Sequence, residues 1–555
     1  MAHDTEHLLQ RLFRWETERK DNTFLTQPLP GGTGLRTYTF QQAMNEARKM
    51  ATHLTSLGLE PGSSIAILSK NCAHMFLADI AIWMAGHVSV ALYPTLTRDT
   101  VGFILAHANA KLLFVGNPES WDTQKEGVPK GIPCISFPDS PATDVMRWND
   151  IVGGHAPQRE NHMRPTTEPA VILYTSGSTG KPKGVVHSLG TISCAAAGLA
   201  QVMKLQQERF ISYLPLAHAF ERPAVEAKSM WLGAEVFFVD SLETFLSDLQ
   251  RAKPTLFHSV PRLWLKFQQG VFQKMPPEKL AFLLKIPIVN RLLRRKVLSG
   301  LGLGEARLAV SGSAPIPPEL IDWYRALGLE LLEGYAMTEN FAYSHLALPS
   351  RTRAGYVGEP LPGVECKLSP QGEVLVKSPA TMLGYHQDPE LTRDSFTEDG
   401  FLKTGDRGEI DEANRLRLTG RVKELFKTSK GKYVAPAPIE NLLNADNHVE
   451  QSCVTGLGLP QPFGLIVLAE VLRPRTGDPS VRGTIDTSLR HLLARVDQVL
   501  DDHEKLEFLV VVDEAWKISN GMLTPTLKIR REFIEARYSP DYERWYEKRQ
   551  PVIWL

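Results

Sequence analysis

A loop of small and hydroxylated residues follows an apolar run in the segment VILYTSGSTGKPKGVVH, at residues 171–187. Its candidate phosphate contacts are Thr175, Ser176, Gly177, Ser178, Thr179, Gly180 and Lys183. Glycine lets the backbone approach a polyphosphate closely, hydroxyl groups donate hydrogen bonds to it, and lysine compensates its negative charge. Such runs are commonly flexible surface loops, but this one follows a buried strand pattern directly and ends in lysine. The segment predicts phosphate binding, although not by a Walker loop, because Pro182 stands where the second glycine of that pattern would fall.

The first half of the chain alternates helix and strand patterns, and such an arrangement would place this loop after a buried strand. Apolar residues recur at helical spacing from Phe40 to Leu57, after a capping box of Thr39 and Gln42 and before Gly58. Strands are predicted at 65–68, 88–93, 112–116, 234–240, 254–260 and 306–312. This alternation predicts an α/β fold with parallel strands and crossover helices.

The longest apolar stretch, Met75 to Tyr93, is about long enough to cross a bilayer. Asp79 and His87 interrupt it, and Ala85-Gly86-His87 is typical of a helix end that precedes a strand. The stretch is therefore predicted to be a buried helix followed by a strand.

Composition narrows the class of protein. The 555 residues exceed one ordinary core and predict two or more domains. Lys+Arg and Asp+Glu are equal at 62 each, so no global field favours nucleic acid. The five cysteines are scattered without metal or disulfide spacing, and the charged N-terminus does not resemble a secretory signal. These features predict a soluble cytoplasmic protein.

Two later segments differ in composition from their surroundings. A turn-rich stretch gives way to a charged one near Gly420 to Lys423, and the remainder of ~130 residues has the size of a domain. Residues 266–296 are basic and amphipathic. A solvated helical face is the favoured interpretation of that segment, and contact with a membrane surface is the alternative.

Further motifs accompany the phosphate loop. They are LPLAHAFE at 214–221, SGSAPI at 311–316, EGYAMTEN at 333–340, KTGD at 403–406, GRVKELFK at 420–427 and LTPTLK at 523–528. In type and order, these segments and YTSGSTGKPKG resemble the signature motifs of the adenylate-forming superfamily of acyl-CoA synthetases, luciferases and peptide-synthetase adenylation domains. LPLAHAFER, PTLFHSVPRL and LTPTLKIRR look most like the long-chain fatty acyl-CoA synthetase branch.

The resemblance implies a nucleotide site built from several of these motifs. The candidate ATP and AMP contacts are Thr175, Ser176, Gly177, Ser178, Thr179, Gly180, Lys183, Gly312, Ser313, Ala314, Pro315, Glu333, Gly334, Tyr335, Thr338, Asp406 and Arg421. By resemblance, Tyr335 lies against the adenine, Thr338 contacts the α-phosphate and Asp406 contacts the ribose diol. Without the accompanying motifs, Tyr335 would be a core residue and Asp406 a turn former.

The resemblance also implies that Glu339 coordinates Mg²⁺, with Thr175 as a second candidate ligand. A carboxylate suits this hard cation, which normally retains water and phosphate oxygens. The alternative for Glu339 is a surface charge.

Lys528 matches the lysine that performs adenylation in the family. Adenylation concentrates negative charge between the attacking carboxylate and the α-phosphate, so a point cation there lowers the barrier. Lys517, Arg530 and Arg531 stand close enough in sequence for the assignment to be displaced. His218 matches a position beside the acyl group, with a hydrogen-bonded core histidine as the alternative. The implied catalytic residues are Lys528, Thr338, Glu339 and His218.

The implied fold is α/β, with a large N-terminal domain of layered α/β subdomains at 1–420 and a small mobile α+β C-terminal domain at 421–555. The active site would lie between them. Adenylation and thioester formation have different transition states, and one bound arrangement cannot be complementary to both. In the family the small domain rotates about a position that matches Lys423, which exchanges Lys528 for a CoA-side face at Lys427 and Gly431.

The predicted function is activation of a medium- or long-chain fatty acid as its acyl-adenylate, followed by transfer to coenzyme A, with ATP and Mg²⁺ as cofactors. Ala336-Met337 replaces the Gly-Gln or Gly-Leu pair common in the family, which leaves the acyl chain length open. No long insertion of the kind found in fatty acyl-AMP ligases follows the hinge, which favours CoA as acceptor.

Three alternatives remain open from the sequence. They are a β-lactone synthetase acting on a 2-alkyl-3-hydroxy acid, an acyl-AMP ligase that loads a carrier protein, and a binding protein that has lost catalysis. The last is disfavoured by the joint presence of Thr338, Glu339, Asp406, Arg421 and Lys528. The expected partner is a small carboxylic acid and not a nucleic acid. Peripheral membrane contact and a monomeric or homodimeric state also remain open.

Overall fold

The computed structural model describes residues 6–31, 34–176, 181–349, 351–524 and 528–555. The chain divides into two compact units. The first comprises Met1–Ala314, Leu320–Cys366 and Val376–Lys403, and the second comprises Pro315–Glu319, Lys367–Leu375 and Thr404–Leu555. The predicted limits at 1–420 and 421–555 and the hinge at Lys423 stay predictions, since this division reflects compactness and not movement.

An eight-stranded sheet forms the centre of the first unit. Its strands, in spatial order, are Gly384–Tyr385, Pro182–Ser188, Pro169–Ser176, Val88–Leu92, Ser64–Leu68, Leu112–Val115, Cys134–Ser136 and Met146–Arg147. The strands from Pro169–Ser176 onwards pair in parallel, whereas Pro182–Ser188 is antiparallel to both of its neighbours. The predicted parallel arrangement of the early strands is confirmed.

Two further sheets complete the first unit. The five-stranded sheet has the order Leu256–Ser259, Leu308–Ser311, Glu330–Tyr335, His345–Leu346 and Glu359–Pro360. The four-stranded sheet has the order Arg209–Ser212, Glu235–Phe238, Thr23–Pro28 and Leu35–Thr39. The first three strands of the five-stranded sheet are parallel, so their carboxyl ends meet at one edge.

Helices cover these sheets. The α-helices before residue 404 are Leu8–Glu18, Phe40–Ser56, Ala73–Met84, Arg98–His107, Trp121–Gln124, Trp148–Gly154, Leu189–Val202, Lys228–Leu232, Phe245–Ala252, Pro261–Lys274, Pro277–Leu284, Pro287–Gly300, Pro318–Ala326 and Pro389–Asp394. Short 3-10 turns occur at Lys125–Gly127 and Thr338–Asn340, and a π-helical turn at Arg222–Ala227 precedes Lys228–Leu232. The predicted capping box forms, because Thr39 accepts a hydrogen bond from the Gln42 backbone and Gln42 caps Thr39 in return.

The apolar stretch from Met75 to Tyr93 is a buried helix followed by a buried strand, as predicted. Every residue of Ala73–Met84 and of Val88–Leu92 is buried. Among the described residues, no helix combines the length and apolar character needed to cross a bilayer.

Asp79, which interrupts that stretch, takes part in a buried charge cluster. Its carboxylate lies 3.0 Å from the guanidinium of Arg222 and accepts a hydrogen bond from Ser89. Arg222 also contacts Glu226 at 3.0 Å, but burial raises the pKa of Glu226 well above its ordinary value. Asp79 is therefore the main counter-charge of a fully buried arginine.

We expect Asp79→Asn to destabilise the first unit by about 3–5 kcal/mol, because it leaves Arg222 buried without its counter-charge. Thermal unfolding followed by calorimetry measures the change. Asp99→Asn is the matched control, since the Asp99 side chain is 86% exposed beside Arg98. Equal melting temperatures for the two variants would contradict this account of the cluster.

The second unit has its own sheets and core. A four-stranded sheet, most of whose residues belong to this unit, has the order Glu365–Leu368, Glu373–Lys377, Leu402–Ile410 and Leu416–Arg421. A two-stranded ribbon pairs Phe426–Lys427 with Tyr433–Val434, and a second four-stranded sheet has the order Val449–Thr455, Phe463–Leu468, Leu509–Val511 and Val552–Trp554. The α-helices are Pro436–Asn444, Pro479–Asp497, Arg531–Tyr538 and Tyr542–Glu547, with 3-10 turns at Val422–Glu424, Arg473–Arg475 and Ser539–Asp541.

The last of these sheets is buried on both faces. Alternate residues such as Val454 and Ile466 pack in one apolar cluster with residues of Pro479–Asp497, while Cys453 and Leu465 pack in another with residues of Arg531–Tyr538. This alternation follows from the two-residue period of a strand. The predicted α/β fold class is confirmed.

Candidate active site

Two strained loops leave the same edge of the five-stranded sheet. Leu308–Ser311 and Glu330–Tyr335 are adjacent parallel strands, with Ser311 opposite Glu333. Ser313 adopts a positive φ of 68° just after the first strand, and Phe341 and Ala342 adopt positive φ values of 49° and 52° after the second. Non-glycine residues in this conformation carry strain that concentrates at functional sites.

The sheet edge collects several predicted nucleotide contacts. Gly312, Ser313 and Ala314 follow one strand directly, Glu333, Gly334 and Tyr335 end the next, and Thr338 begins the turn beyond it. Pro315 continues the first of these loops and falls in the second compact unit. Glu333 is buried, whereas Tyr335 is half-buried and its ring lies 6.0 Å from that of His345.

The turn Thr338–Asn340 is held by His187 of the eight-stranded sheet and by Met382, which lies just before strand Gly384–Tyr385. His187 Nε2 donates a hydrogen bond to the Thr338 carbonyl at 2.7 Å, and the Met382 backbone N–H donates to the Glu339 carbonyl at 2.7 Å. Burial lowers the pKa of His187 to about 4, so the ring is neutral at pH 7. The turn that carries Glu339 is therefore fixed from outside its own loop.

The Glu339 carboxylate is positioned by Tyr385. The Tyr385 hydroxyl donates to Glu339 Oε1 at 2.7 Å, and burial followed by the Glu339 charge raises the pKa of Tyr385, which keeps this proton in place. Lys183 Nζ lies 5.7 Å from the centre of the same ring. Tyr385 thus contacts Lys183 through the face of its ring and Glu339 through its hydroxyl.

The structure describes the two strand ends that flank the phosphate loop, 175–176 and 182–183, which we call its neck. Thr175 lies opposite Lys183 and Ser176 opposite Pro182 in an antiparallel pair, while the predicted contacts Gly177, Ser178, Thr179 and Gly180 lie outside the described residues. Gly184 must be glycine, because a Cβ there would lie 2.8 Å from Ile172 and 3.2 Å from Tyr174. This close packing sets where the two ends of the loop leave the sheet.

His218 lies on the segment that reaches the edge at Gly312. Its Nδ1 accepts a hydrogen bond from the Phe220 backbone N–H at 3.0 Å, and the ring is half-buried. A Cβ on Gly312 would lie 3.1 Å from the Phe220 ring, so the segment and the loop are in close contact. His218 is thus near the predicted nucleotide loop, and its role beside an acyl group stays a prediction.

In the second unit, Asp406 and Arg421 face each other across an antiparallel pair. Arg421 Nε donates to Asp406 Oδ1 at 2.9 Å. The carboxylate is largely shielded, whereas 53% of the arginine side chain is exposed. The structure brings these two predicted nucleotide contacts together.

The charges of Asp406 and Arg421 both influence the pKa of Lys528. Desolvation lowers its pKa, the charge of Arg421 lowers it further, and Asp406 partly offsets both effects. The residue as a whole is exposed to water. Its backbone N–H donates to Thr524 Oγ1 at 3.1 Å.

The neighbouring cations are committed elsewhere or lie apart. Arg531 forms a bidentate pair with Glu440 at 2.7 and 2.9 Å, and its guanidinium also donates to the Val454 carbonyl. The Arg530 guanidinium lies 3.6 Å from the centre of the Phe533 ring. The Lys528 ammonium makes no hydrogen bond or ion pair with any other residue in the described part of the chain. Within the ranges that the structure describes, Arg530 and Arg531 are thus engaged by other side chains, whereas Lys528 and the exposed Lys517 are not, and the catalytic role of Lys528 stays a prediction.

The predicted hinge and CoA-side residues are exposed. Lys423 lies in the turn Val422–Glu424, directly after strand Leu416–Arg421. Lys427 and Gly431 lie on the small ribbon, where Lys427 Nζ is 5.6 Å from the centre of the Tyr433 ring and Gly431 adopts a φ of 77°. Their predicted roles are untested by this geometry.

Sequence reasoning missed His187 and Tyr385. His187 ends the quoted loop segment, but its partner Thr338 is 151 positions away. Tyr385 lies on a two-residue strand that pairs with Val185, so the sheet register brings it to Glu339. No local pattern points to either contact, since each joins residues far apart in the sequence.

Comparison with known proteins places this geometry in context. The family model described as AMP-binding enzyme matches residues 12–386. Long-chain-fatty-acid–CoA ligase 1 of Homo sapiens is 30% identical, over 88% of this chain and 78% of its own. Long-chain-fatty-acid–CoA ligase FadD15 of Mycobacterium bovis is 28% identical, over 92% of each chain.

A solved structure shows the same fold. The anthranilate CoA ligase AuaEII, in complex with anthranoyl-AMP, superposes with a TM-score of 0.78 at 22% identity, covering 96% of this chain and 97% of that one. At this identity the likeness concerns the fold alone.

Proposed function

The chain belongs to the family of AMP-binding enzymes, and we propose that it is an AMP-forming ligase that joins a fatty acid to coenzyme A. The acid, of medium or long chain, is first activated as its acyl-adenylate with ATP and Mg²⁺. The observation that carries the proposal is the assembly of Glu339, Tyr385 and Lys183 beside the neck of the phosphate loop. It provides a positioned carboxylate for a cation and a lysine for a polyphosphate.

The described donors fit Mg²⁺. Glu339 Oε1 is held by Tyr385, and Oε2 accepts no hydrogen bond from a described residue. No cluster of three or more His, Cys, Asp or Glu side chains suited to a metal occurs in the described ranges. A site with one positioned carboxylate matches the habit of Mg²⁺, which takes its other ligands from water and phosphate. Glu339 would hold the ion, with Thr175 as the second candidate, and the ion would neutralise charge on the phosphates.

In the first half-reaction a substrate carboxylate oxygen attacks the α-phosphorus and pyrophosphate leaves. Thr338 and Lys528 stabilise the charge that develops at the α-phosphate. Tyr335 lies against the adenine, and Asp406 with Arg421 holds the ribose. In the second half-reaction the CoA sulfur attacks the acyl carbon and AMP leaves, with Lys427 and Gly431 on the entering face. His218 lies beside the acyl group.

One experiment tests the whole proposal. The protein is incubated with ATP, Mg²⁺, CoA and a mixture of carboxylic acids, and the products are identified by mass spectrometry. Acyl-CoA with AMP and pyrophosphate is expected. A β-lactone product would show that the acyl group reacts within its own molecule and not with CoA. An adenylate that accumulates until a carrier protein is added would show that the carrier protein is the acceptor. Absence of any adenylate would contradict the enzyme assignment itself.

We expect Glu339→Gln to raise the Mg²⁺ concentration required for adenylation and to depress the rate, because it preserves shape but removes the charge. Tyr385→Phe removes only the hydroxyl that orients Glu339, and it should lower Mg²⁺ affinity by ~10-fold. The measurement is pyrophosphate release against Mg²⁺ concentration.

Glu390→Gln, an exposed carboxylate on helix Pro389–Asp394, is the matched control and should leave the titration unchanged. A Glu339→Gln curve that overlays wild type would make Glu339 a structural carboxylate. A Tyr385→Phe curve that overlays wild type would remove only the positioning role.

The proposal includes a small carboxylic acid as partner, peripheral contact with a membrane, and a monomeric or homodimeric protein in the cytoplasm. The positive charge of segment 266–296 supports membrane contact. Light scattering at several protein concentrations distinguishes the two oligomeric states.

A further inference from the structure

A helical hairpin in the first unit exposes large apolar side chains. It consists of Pro277–Leu284 and Pro287–Gly300. Phe282 is 65% exposed, Ile288 80% and Leu292 68%. Single exposed apolar residues are ordinary, whereas several large ones within one short stretch of chain indicate an interaction surface.

The exposed side chains follow one face of the longer helix. Ile288, Arg291, Leu292, Arg295 and Lys296 are exposed and stand at relative positions 0, 3, 4, 7 and 8, which is the spacing of a single helical stripe. The opposite face is anchored, because Leu293 and Leu298 are buried. The exposed stripe is therefore a second, unpartnered face of a helix that is already packed.

The charge of this region departs from that of the chain. Residues 261–300 contain nine Lys and Arg side chains against one carboxylate, Glu278, in a protein whose basic and acidic residues balance. Lys279, Lys285, Arg291, Arg295 and Lys296 form no ion pair with any residue in the described ranges. This positive charge is thus left unneutralised by the fold.

We propose that this hairpin docks the protein on an anionic lipid bilayer, with Phe282, Ile288 and Leu292 entering the interface and the basic residues of the stripe facing lipid headgroups. Apolar and basic side chains alternate along the stripe, so neither a purely apolar protein surface nor a polyanion would satisfy both. An anionic bilayer offers acyl chains and negative headgroups within one layer. Charge complementarity therefore selects the lipid surface as the occupant.

The hairpin is connected directly to the sheet that carries the candidate site. Strand Leu256–Ser259 leads into helix Pro261–Lys274 and then into the hairpin, and that strand pairs with Leu308–Ser311, which precedes Gly312. The purpose of docking rests on the proposed function, since a fatty acid of low solubility partitions into bilayers. The docking itself is a binding property and is measured without turnover.

Co-sedimentation with vesicles tests the proposal. Vesicles of phosphatidylcholine alone are compared with vesicles that also contain phosphatidylglycerol, at low and high salt. Wild type should bind the anionic vesicles and lose binding as salt rises, since screening weakens headgroup attraction. We expect the triple variant Arg291→Gln, Arg295→Gln, Lys296→Gln to reduce binding by ~10-fold or more, and Phe282→Ser, Ile288→Ser, Leu292→Ser to reduce it at least as much.

The matched control replaces three equally exposed apolar residues of the second unit, in Leu457→Ser, Val471→Ser, Val499→Ser. It should bind vesicles as wild type does. Adenylation of a water-soluble acid should be unchanged in all three variants, which shows that they fold and separates this test from that of the proposed function. Wild type that ignores anionic vesicles, or hairpin variants that bind them normally, would overturn the proposal. If light scattering instead shows self-association that the hairpin variants abolish, the face is an interface between copies of the chain and the lipid assignment is wrong.

Discussion

Replacing Lys528 with alanine is expected to slow acyl-adenylate formation by ~100-fold or more, a loss comparable to that of one oxyanion donor. ATP binding should stay nearly intact, because the ammonium acts on charge that develops only in the transition state. The predicted nucleotide contacts Asp406 and Arg421 pair with each other and are untouched by the substitution.

The structure sharpens this prediction through the surroundings of Lys528. Desolvation and then the charge of Arg421 disfavour the charged lysine, so its pKa lies below the ordinary value. The ammonium charge is lost as pH rises through that lowered pKa. Adenylation by wild type should therefore decline at a lower alkaline pH than an ordinary lysine would allow, and Arg421→Gln should move that decline to higher pH.

Lys517→Ala is the matched control for Lys528→Ala. Lys517 is an exposed lysine that precedes the segment 523–528 by a few residues. Its replacement should leave both half-reactions unchanged. Arg531→Ala is unsuitable, because it would leave buried Glu440 without its bidentate partner.

Pyrophosphate release measures adenylation, and chemically made acyl-adenylate with CoA measures the thioester step alone. Lys528→Ala should lose the first activity and keep the second. Adenylation at the wild-type rate would show that another cation performs this role.

The sequence predicts the elements whose residues satisfy local rules. The helix after Thr39 is predicted by a capping box and by apolar residues at helical spacing. The capping box forms, and the apolar residues are buried as expected. The segment 75–93 is separated into helix and strand by Gly86, which adopts a φ of 79°. These features depend on neighbours within a few positions, so one sequence is enough to recognise them.

Features that depend on distant pairing could not be predicted. The link from Tyr385 to Glu339 requires that a two-residue strand pair with Val185, and no periodicity can establish a strand of that length. Asp79 was recognised only as an interruption of an apolar run, whereas its partner Arg222 lies in a π-helical turn far along the chain. The exposed stripe at 288–296 is likewise indistinguishable from a buried one by spacing alone, since both faces of that helix carry apolar residues.

Lys423→Pro is expected to leave one half-reaction and remove most of the other, because a hinge must adopt two backbone conformations and proline fixes φ. The segments on either side of Lys423 are each held by bonds to other parts of the second unit. Before it, Arg421 is paired with Asp406 in a β ladder; after it, Glu424 lies 3.9 Å from Arg531, which grips Glu440. Lys423 stands in the short turn between these two bonded segments and is exposed.

Two controls separate backbone freedom from other effects. Lys423→Ala removes the same side chain but keeps the backbone free, and it should retain both half-reactions. Glu412→Pro places proline in the exposed turn closed by the Asn414 N–H and the Asp411 carbonyl, between two strands of one sheet, where no hinge is predicted. That variant should also retain both, with thermal stability little changed in every case.

The two rates must be measured on the same preparation, as pyrophosphate release and as acyl-CoA formed from supplied adenylate. A hinge predicts that their ratio shifts strongly in Lys423→Pro alone, because trapping favours one arrangement over the other. A rigid connector predicts that the two rates fall together or not at all, and proportional change would contradict the hinge. If wild type itself forms no acyl-CoA from its own adenylate, coenzyme A is not the acceptor, and the same variant then reports only on adenylation. Lys423→Ala lacks the proline ring and Glu412→Pro places that ring at another turn, so a selective loss confined to Lys423→Pro identifies the backbone constraint at position 423 as its cause.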